Sequence, residues 1–282
     1  MVLPPDIVGM MKRLSAILCA IAAGAAYAGL AWARDPCAAP DELTSGFTAL
    51  PHVAAALKPG ATLDVLTVGS ATVFSPGESL MPGTVTGQAL GLGPPHPQPN
   101  LPPATDAAFP LQMASALRAA TPNLQVNVTV RGGRGMTASD MLVIVKHELS
   151  QHHYQLVIWQ TGTVDAVRNT PSDDFLEVLS DGADAVHEGD ADLVLVNPQF
   201  SRFLHSNAQL DDYALAMQQV AARPDTMLFP RYELMRYWVS EGQIDLERTA
   251  RSQRQKTVEQ LHACIGAKLA QMIEDGAKTP PS

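Results

Sequence analysis

The sequence predicts an α/β protein built on one five-stranded parallel sheet with helices on both faces. Five short apolar or β-branched runs each stop at a breaker, and each leads into a stretch with helical spacing. The chain has 282 residues, 46% of them apolar and 17% charged, enough to bury the core of a single α/β domain. Strands that alternate with helices run parallel and are joined by right-handed crossovers. In such sheets, chemistry gathers in the loops at the carboxyl ends of the strands.

The first 33 residues are predicted to be an address rather than part of the fold. Lys12 and Arg13 precede an apolar run from Leu14 to Ala33, which closes on Ala31-Trp32-Ala33. A basic start, an apolar stretch and a small-x-small end describe an export signal. The alternative is an uncleaved anchor, because about twenty apolar residues just span a bilayer. That would be the chain's one expected contact with a membrane. Residues 34–62 form a lead-in to the domain, which spans 63–276, and 277–282 are expected to be a disordered tail.

Within the domain, Leu63 to Val68 is the first strand and ends at Gly69. Residues 92–103 hold six prolines, which preclude a helix and imply a stiff extended loop inside the first crossover. A helix is predicted near 107–120. The second strand, Leu124 to Val130, alternates apolar and polar residues and runs into Gly132, Gly133 and Gly135. A helix near 137–152 leads to the third strand, Tyr154 to Trp159, and a helix near 173–187 leads to the fourth, Asp192 to Val196. Helix 209–222 precedes the short fifth strand, Thr226 to Phe229. Helices near 231–241 and 258–274 complete the domain.

Charge and composition exclude several functions. There are 28 Asp and Glu against 19 Lys and Arg, a formal charge of -9, whereas a nucleic-acid partner needs a basic face. Removing residues 1–33 takes Cys19 away and leaves Cys37 and Cys264, which in an exported protein are expected to form a disulfide. Two unpaired thiols are the alternative. His147 and Glu148 with His152 nearly spell a zinc-binding helix, but the second histidine falls one residue late and off the shared face. The glycine cluster lacks the lysine-serine pair of a phosphate loop. Arg251, Arg254 and Lys256 make a solvated basic face. Tyr232, Tyr237 and Trp238 fit core packing as well as the lining of a sugar or acyl site. No metal or organic cofactor is implied.

Four segments, taken in chain order, resemble the blocks of the SGNH, or GDSL, hydrolase superfamily. They are Val68-Gly69-Ser70-Ala71-Thr72, Val130 to Gly135, Trp159 to Ala166, and Glu259-Gln260-Leu261-His262 with Gly266 following. Asp192 to Gln199 resembles the fourth strand of one bacterial branch. The resemblance implies a flavodoxin-like three-layer α/β/α fold and acyl-ester hydrolysis. In that chemistry a serine attacks, a histidine takes its proton, and an acid three residues earlier orients the ring. A glycine amide and an asparagine side chain would help to stabilise the oxyanion.

Position by position, Gly69 and Gly135 match the family glycines, His262 falls on the base, and Glu259 replaces the orienting aspartate. The nucleophile slot is Ala71, which has no oxygen, and the oxyanion asparagine is Val164, which cannot donate. Ser70 is the candidate substitute nucleophile, although neighbouring side chains in a tight turn diverge, and Thr72 is expected to point away. Without the resemblance, His262 reads as a packed or capping histidine. Asp165 reads as a cap or turn acceptor.

The sequence is therefore expected to encode a degenerate, periplasmic or secreted member of the superfamily. Its partner would be an acylated small molecule or glycan, or an active paralogous enzyme. The alternative is a living carbohydrate or lipid deacylase that uses Ser70 and His262.

Overall fold

The structure is a computed structural model in which residues 35–45, 48–74 and 104–280 are described. The expected export signal at 1–33 and the Pro-rich loop at 92–103 lie outside the described residues. The chain divides into two compact units, one through Ala38 and one from Ala39 onward. In the first, the Asp35 side chain accepts from the Cys37 amide at 2.9 Å and its carbonyl from the Ala38 amide at 3.0 Å. Cys37 and Cys264 are both disulfide-bonded.

Among its described residues, the second unit holds five strands: β1 (Thr62–Gly69), β2 (Gln125–Gly132), β3 (Leu156–Gln160), β4 (Asp192–Val196) and β5 (Thr226–Phe229). All pairs are parallel, in the order β2-β1-β3-β4-β5. The longer helices follow the sequence pattern: α2 (Phe109–Ala120), α3 (Ala138–Gln151), α5 (Ser172–Glu188), α7 (Leu210–Ala221), α8 (Arg231–Ser240) and α9 (Arg254–Lys278). Three helices of six residues were not expected: α1 (Pro51–Ala56), α4 (Thr163–Arg168) and α6 (Arg202–Asn207). Fewer than two turns give too few apolar repeats to reveal a 3.6-residue period. Helix α9 is longer at both ends than its apolar pattern suggested, and it runs two residues into the segment expected to be a tail. Among the described residues, no helix is long and apolar enough to cross a membrane.

Every residue of β3 and β4 is buried, as a sheet covered on both faces requires. On one face Leu66, Val68, Trp159 and Leu195 pack with Met141 of α3, Phe175 and Leu179 of α5, and Met217 of α7. Gly182 lets α5 lie flat on Trp159, because a methyl group there would run into the indole ring. Gly182→Ala is therefore expected to cost about 1–2 kcal/mol, overpacking outweighing the gain in helix propensity. A urea melt reads this as a lower midpoint at unchanged slope. An unchanged midpoint would mean that the ring has room to yield.

On the other face, α9 lies against α2 and α1. A Cβ on Gly266 would sit 2.6 Å from Gln112 Cβ and 2.9 Å from the Phe109 carbonyl oxygen, so only glycine allows this approach. The strand order reverses between β1 and β3, which opens a crevice at their carboxyl ends. Gly132 closes β2 onto that crevice at φ +121°, and any Cβ there would overlap the Gly69 carbonyl oxygen. The Gly133 amide donates to the same oxygen at 3.1 Å, which clamps the ends of β1 and β2 together.

Candidate active site

The sequence places Ser70, Ala71, Val164, Gly135, His262 and Glu259 around this crevice, and the structure brings only some of them together. Ser70 follows β1 in extended backbone and precedes a single 3-10 turn, Ala71–Val73. Its hydroxyl oxygen accepts from Gln160 Nε2 at 2.9 Å. The other end of the Gln160 amide accepts from Thr72 Oγ1 at 2.5 Å, so one glutamine at the end of β3 ties both hydroxyls of the first block. Ala71 stands between them and offers no oxygen.

Among the described residues, two small cavities lie at this end of the sheet, each of about 10 Å³. Ser70 lines one with Met136, Gln160, Gly162 and Val164. His262 lines the other with Thr72, Phe109, Gln199, Arg231 and Leu261. Neither of these two cavities is lined by both the candidate serine and the candidate base. Thr72, expected to point away, is the hydroxyl that reaches the histidine's cavity, but it donates its proton to Gln160. Each volume is the size of about one water molecule, and neither admits an acyl chain.

His262 is 2% exposed, and its Nδ1 accepts the Phe109 amide proton at 3.2 Å. That amide is one of the orphan donors at the start of α2, where Ala108 supplies no capping side chain. His262 is thus a capping histidine, although it caps a neighbouring helix and not its own. With Nδ1 accepting, the neutral ring carries its proton on Nε2. Burial, reinforced by the Arg231 cation, pushes its pKa down to about 3. A base that must accept on Nε2 near neutral pH needs the opposite tautomer and a far higher proton affinity.

Glu259, expected to orient the ring, faces solvent and accepts from Gln255 Nε2 at 2.8 Å. It lies three residues before His262 on a continuous helix, a spacing that keeps side chains on neighbouring sides, yet His262 is buried and Glu259 exposed, so the edge of the buried face of α9 runs between them. Gly135 is buried at φ +75°, and Val164 is buried in the first turn of α4. Asp165 ties the third block to α3: its carboxylate accepts the Ala138 amide proton at the start of that helix, at 3.0 and 3.2 Å. Burial raises its pKa against the pull of those amides.

The residue that the sequence did not single out is Arg231, the first of α8. It is 3% exposed, its Nε donates to the Asn197 carbonyl at 3.1 Å, and burial lowers its pKa to about 9. Its only sequence signal was position, directly after the breaker that ends β5. Trp238 belongs to the core, and Tyr232 stacks edge-on against Phe200 with centroids 5.3 Å apart. Glu148, from the near-zinc pattern, accepts from Arg131 Nε at 2.6 Å and the Tyr154 hydroxyl at 2.9 Å.

A model of the non-GDSL lipase-like family matches residues 36–279. No curated protein matches the chain by sequence. Among solved structures, a catalytic mutant of Axe2, an acetylxylan esterase from Geobacillus stearothermophilus, is 13% identical at TM-score 0.55, covering 77% of this chain and 95% of that one. The lipase/acylhydrolase from Enterococcus faecalis is 15% identical at TM-score 0.51, covering 78% and 98%. LAE5, an alpha/beta hydrolase enzyme from the metagenome of Lake Arreo, is 15% identical at TM-score 0.51, covering 74% and 97%. At these identities the likeness is one of fold.

Proposed function

The chain belongs to the non-GDSL lipase-like family, within the SGNH/GDSL-like hydrolases, and from that premise we propose that it is an exported, non-hydrolytic member. Its role would be to bind an acylated or glycan ligand, or to dock an active relative, and not to cleave an ester. One observation carries this: the imidazole at the base position spends Nδ1 on the Phe109 amide, while the candidate serine lines a different cavity. Ala71 and Val164 remove the remaining two elements, a nucleophile and an oxyanion donor worth about 3–4 kcal/mol. The ligand class follows from the family. Export is supported by the Lys12-Arg13 start, the apolar run to Ala33 and two disulfide-bonded cysteines, since such bonds persist in oxidising compartments.

Assay with short p-nitrophenyl esters is the test. The folded protein is expected to show no turnover above background, and a fluorophosphonate probe is expected to leave no adduct. Hydrolysis that disappears in His262→Ala, or an adduct mapped to Ser70, would restore the reading of a working deacylase.

A further inference from the structure

The cavity beside His262 holds a positive charge that no described residue balances. The Arg231 guanidinium has five N–H donors, and among the described residues only Nε has a partner, the Asn197 carbonyl. The nearest acid in sequence, Glu233, is engaged by Asn197 Nδ2 at 2.8 Å. Burying a guanidinium without a counter-charge is costly, and proteins relieve that cost with an anion or with hydrogen bonds to every donor.

The same cavity receives a second donor. Because Nδ1 of His262 accepts from Phe109, Nε2 carries the ring proton, and no described residue accepts it. Thr72 contributes an oxygen whose proton is committed to Gln160, and the other polar side chain is Gln199. Among the described residues, no carboxylate lines the cavity. Its volume of about 10 Å³ takes one body the size of a water molecule.

We propose that this cavity is a receptor for a small monovalent anion, a halide or one carboxylate oxygen of an acid, held between the Arg231 guanidinium and His262 Nε2–H. An anion accepts from both donors and supplies the counter-charge that the guanidinium lacks, which a water molecule cannot do. The proposal deepens the binding role above by giving the ligand its charge. It does not depend on whether esters turn over, so the p-nitrophenyl assay and an anion assay can fail separately.

The test uses the full chain and bromide. Crystals soaked in sodium bromide are expected to show an anomalous peak in contact with both Arg231 and His262. Water alone at that position would overturn the proposal. In solution, bromide NMR lines are expected to broaden on adding protein, and Arg231→Gln should weaken binding about tenfold or more, the loss of a charge-assisted contact. Broadening that is the same in a folded Arg231→Gln protein would place the bromide elsewhere and overturn the assignment. Formate or acetate that sharpens the bromide line in competition identifies the carboxylate as an occupant. Competition by halides alone identifies the halide.

Discussion

The double variant Ala71→Ser, Val164→Asn is expected to remain inactive on short esters and unlabelled by fluorophosphonate. From the sequence alone, these two substitutions should restore activity if only those groups were missing. The structure adds a third loss. A hydroxyl introduced in place of the Ala71 methyl would need a base, and His262 presents a proton on Nε2 where the base must present a lone pair. Reversing the tautomer means surrendering the Phe109 amide bond, and charging the ring means opposing both burial and the Arg231 cation. A positioned general base is worth roughly 10²–10⁴ in rate. With Glu259 turned to solvent, nothing recovers that factor. Activity a hundredfold above wild type from these two changes alone would show that the imidazole can serve as a base after all.

Asp192→Asn is expected to stabilise the protein by roughly 4 kcal/mol at most at pH 8 and to have almost no effect at pH 4. Asp192 is fully buried at the start of β4, where Oδ2 accepts the Val53 amide proton at 2.8 Å and Oδ1 has no partner among the described residues. Burial raises its pKa from 3.8 to about 7, the amide bonds of α1 oppose that rise, and the Asp225 charge adds to it. The folded state therefore binds a proton that the unfolded chain has released between pH 4 and 7. The neutral acid costs the fold nothing below that window, and stability drains away as pH rises through it. Each tenfold difference in proton affinity is about 1.4 kcal/mol, which sets the upper limit quoted. An asparagine keeps an oxygen for the Val53 amide and carries no charge at any pH. Denaturant melts of both proteins from pH 4 to 8 should coincide in acid and separate above it. Parallel curves across the range would refute a raised Asp192 pKa.

Period, breakers and glycines were legible in the sequence because they are local. All five strands lie within two residues of their predicted ends, and the six long helices overlap their predicted spans, since burial on two faces forces continuous apolar strands and one-sided helices. The six-residue helices were not legible, having too few turns to show a repeat. Ala71 and Val164 were legible as side chains without a hydroxyl or an amide because that is a property of the residue type.

The sequence by itself determined the sheet and its winding, and that the side chains of Ala71 and Val164 carry no oxygen and no donor. Only the tertiary structure decided what His262 does, because a ring nitrogen's role depends on which atom stands opposite it. Gly266 brings α9 close enough to α2 for the Phe109 amide, 153 residues away in the chain, to claim Nδ1. The same packing buries Arg231 beside the ring, and no local pattern records a charge whose neighbours come from distant segments. Glu259 shows the reverse. Its spacing from His262 looked catalytic and does keep the two side chains near each other on the helix, yet the packing of α9 buries one and leaves the other in water.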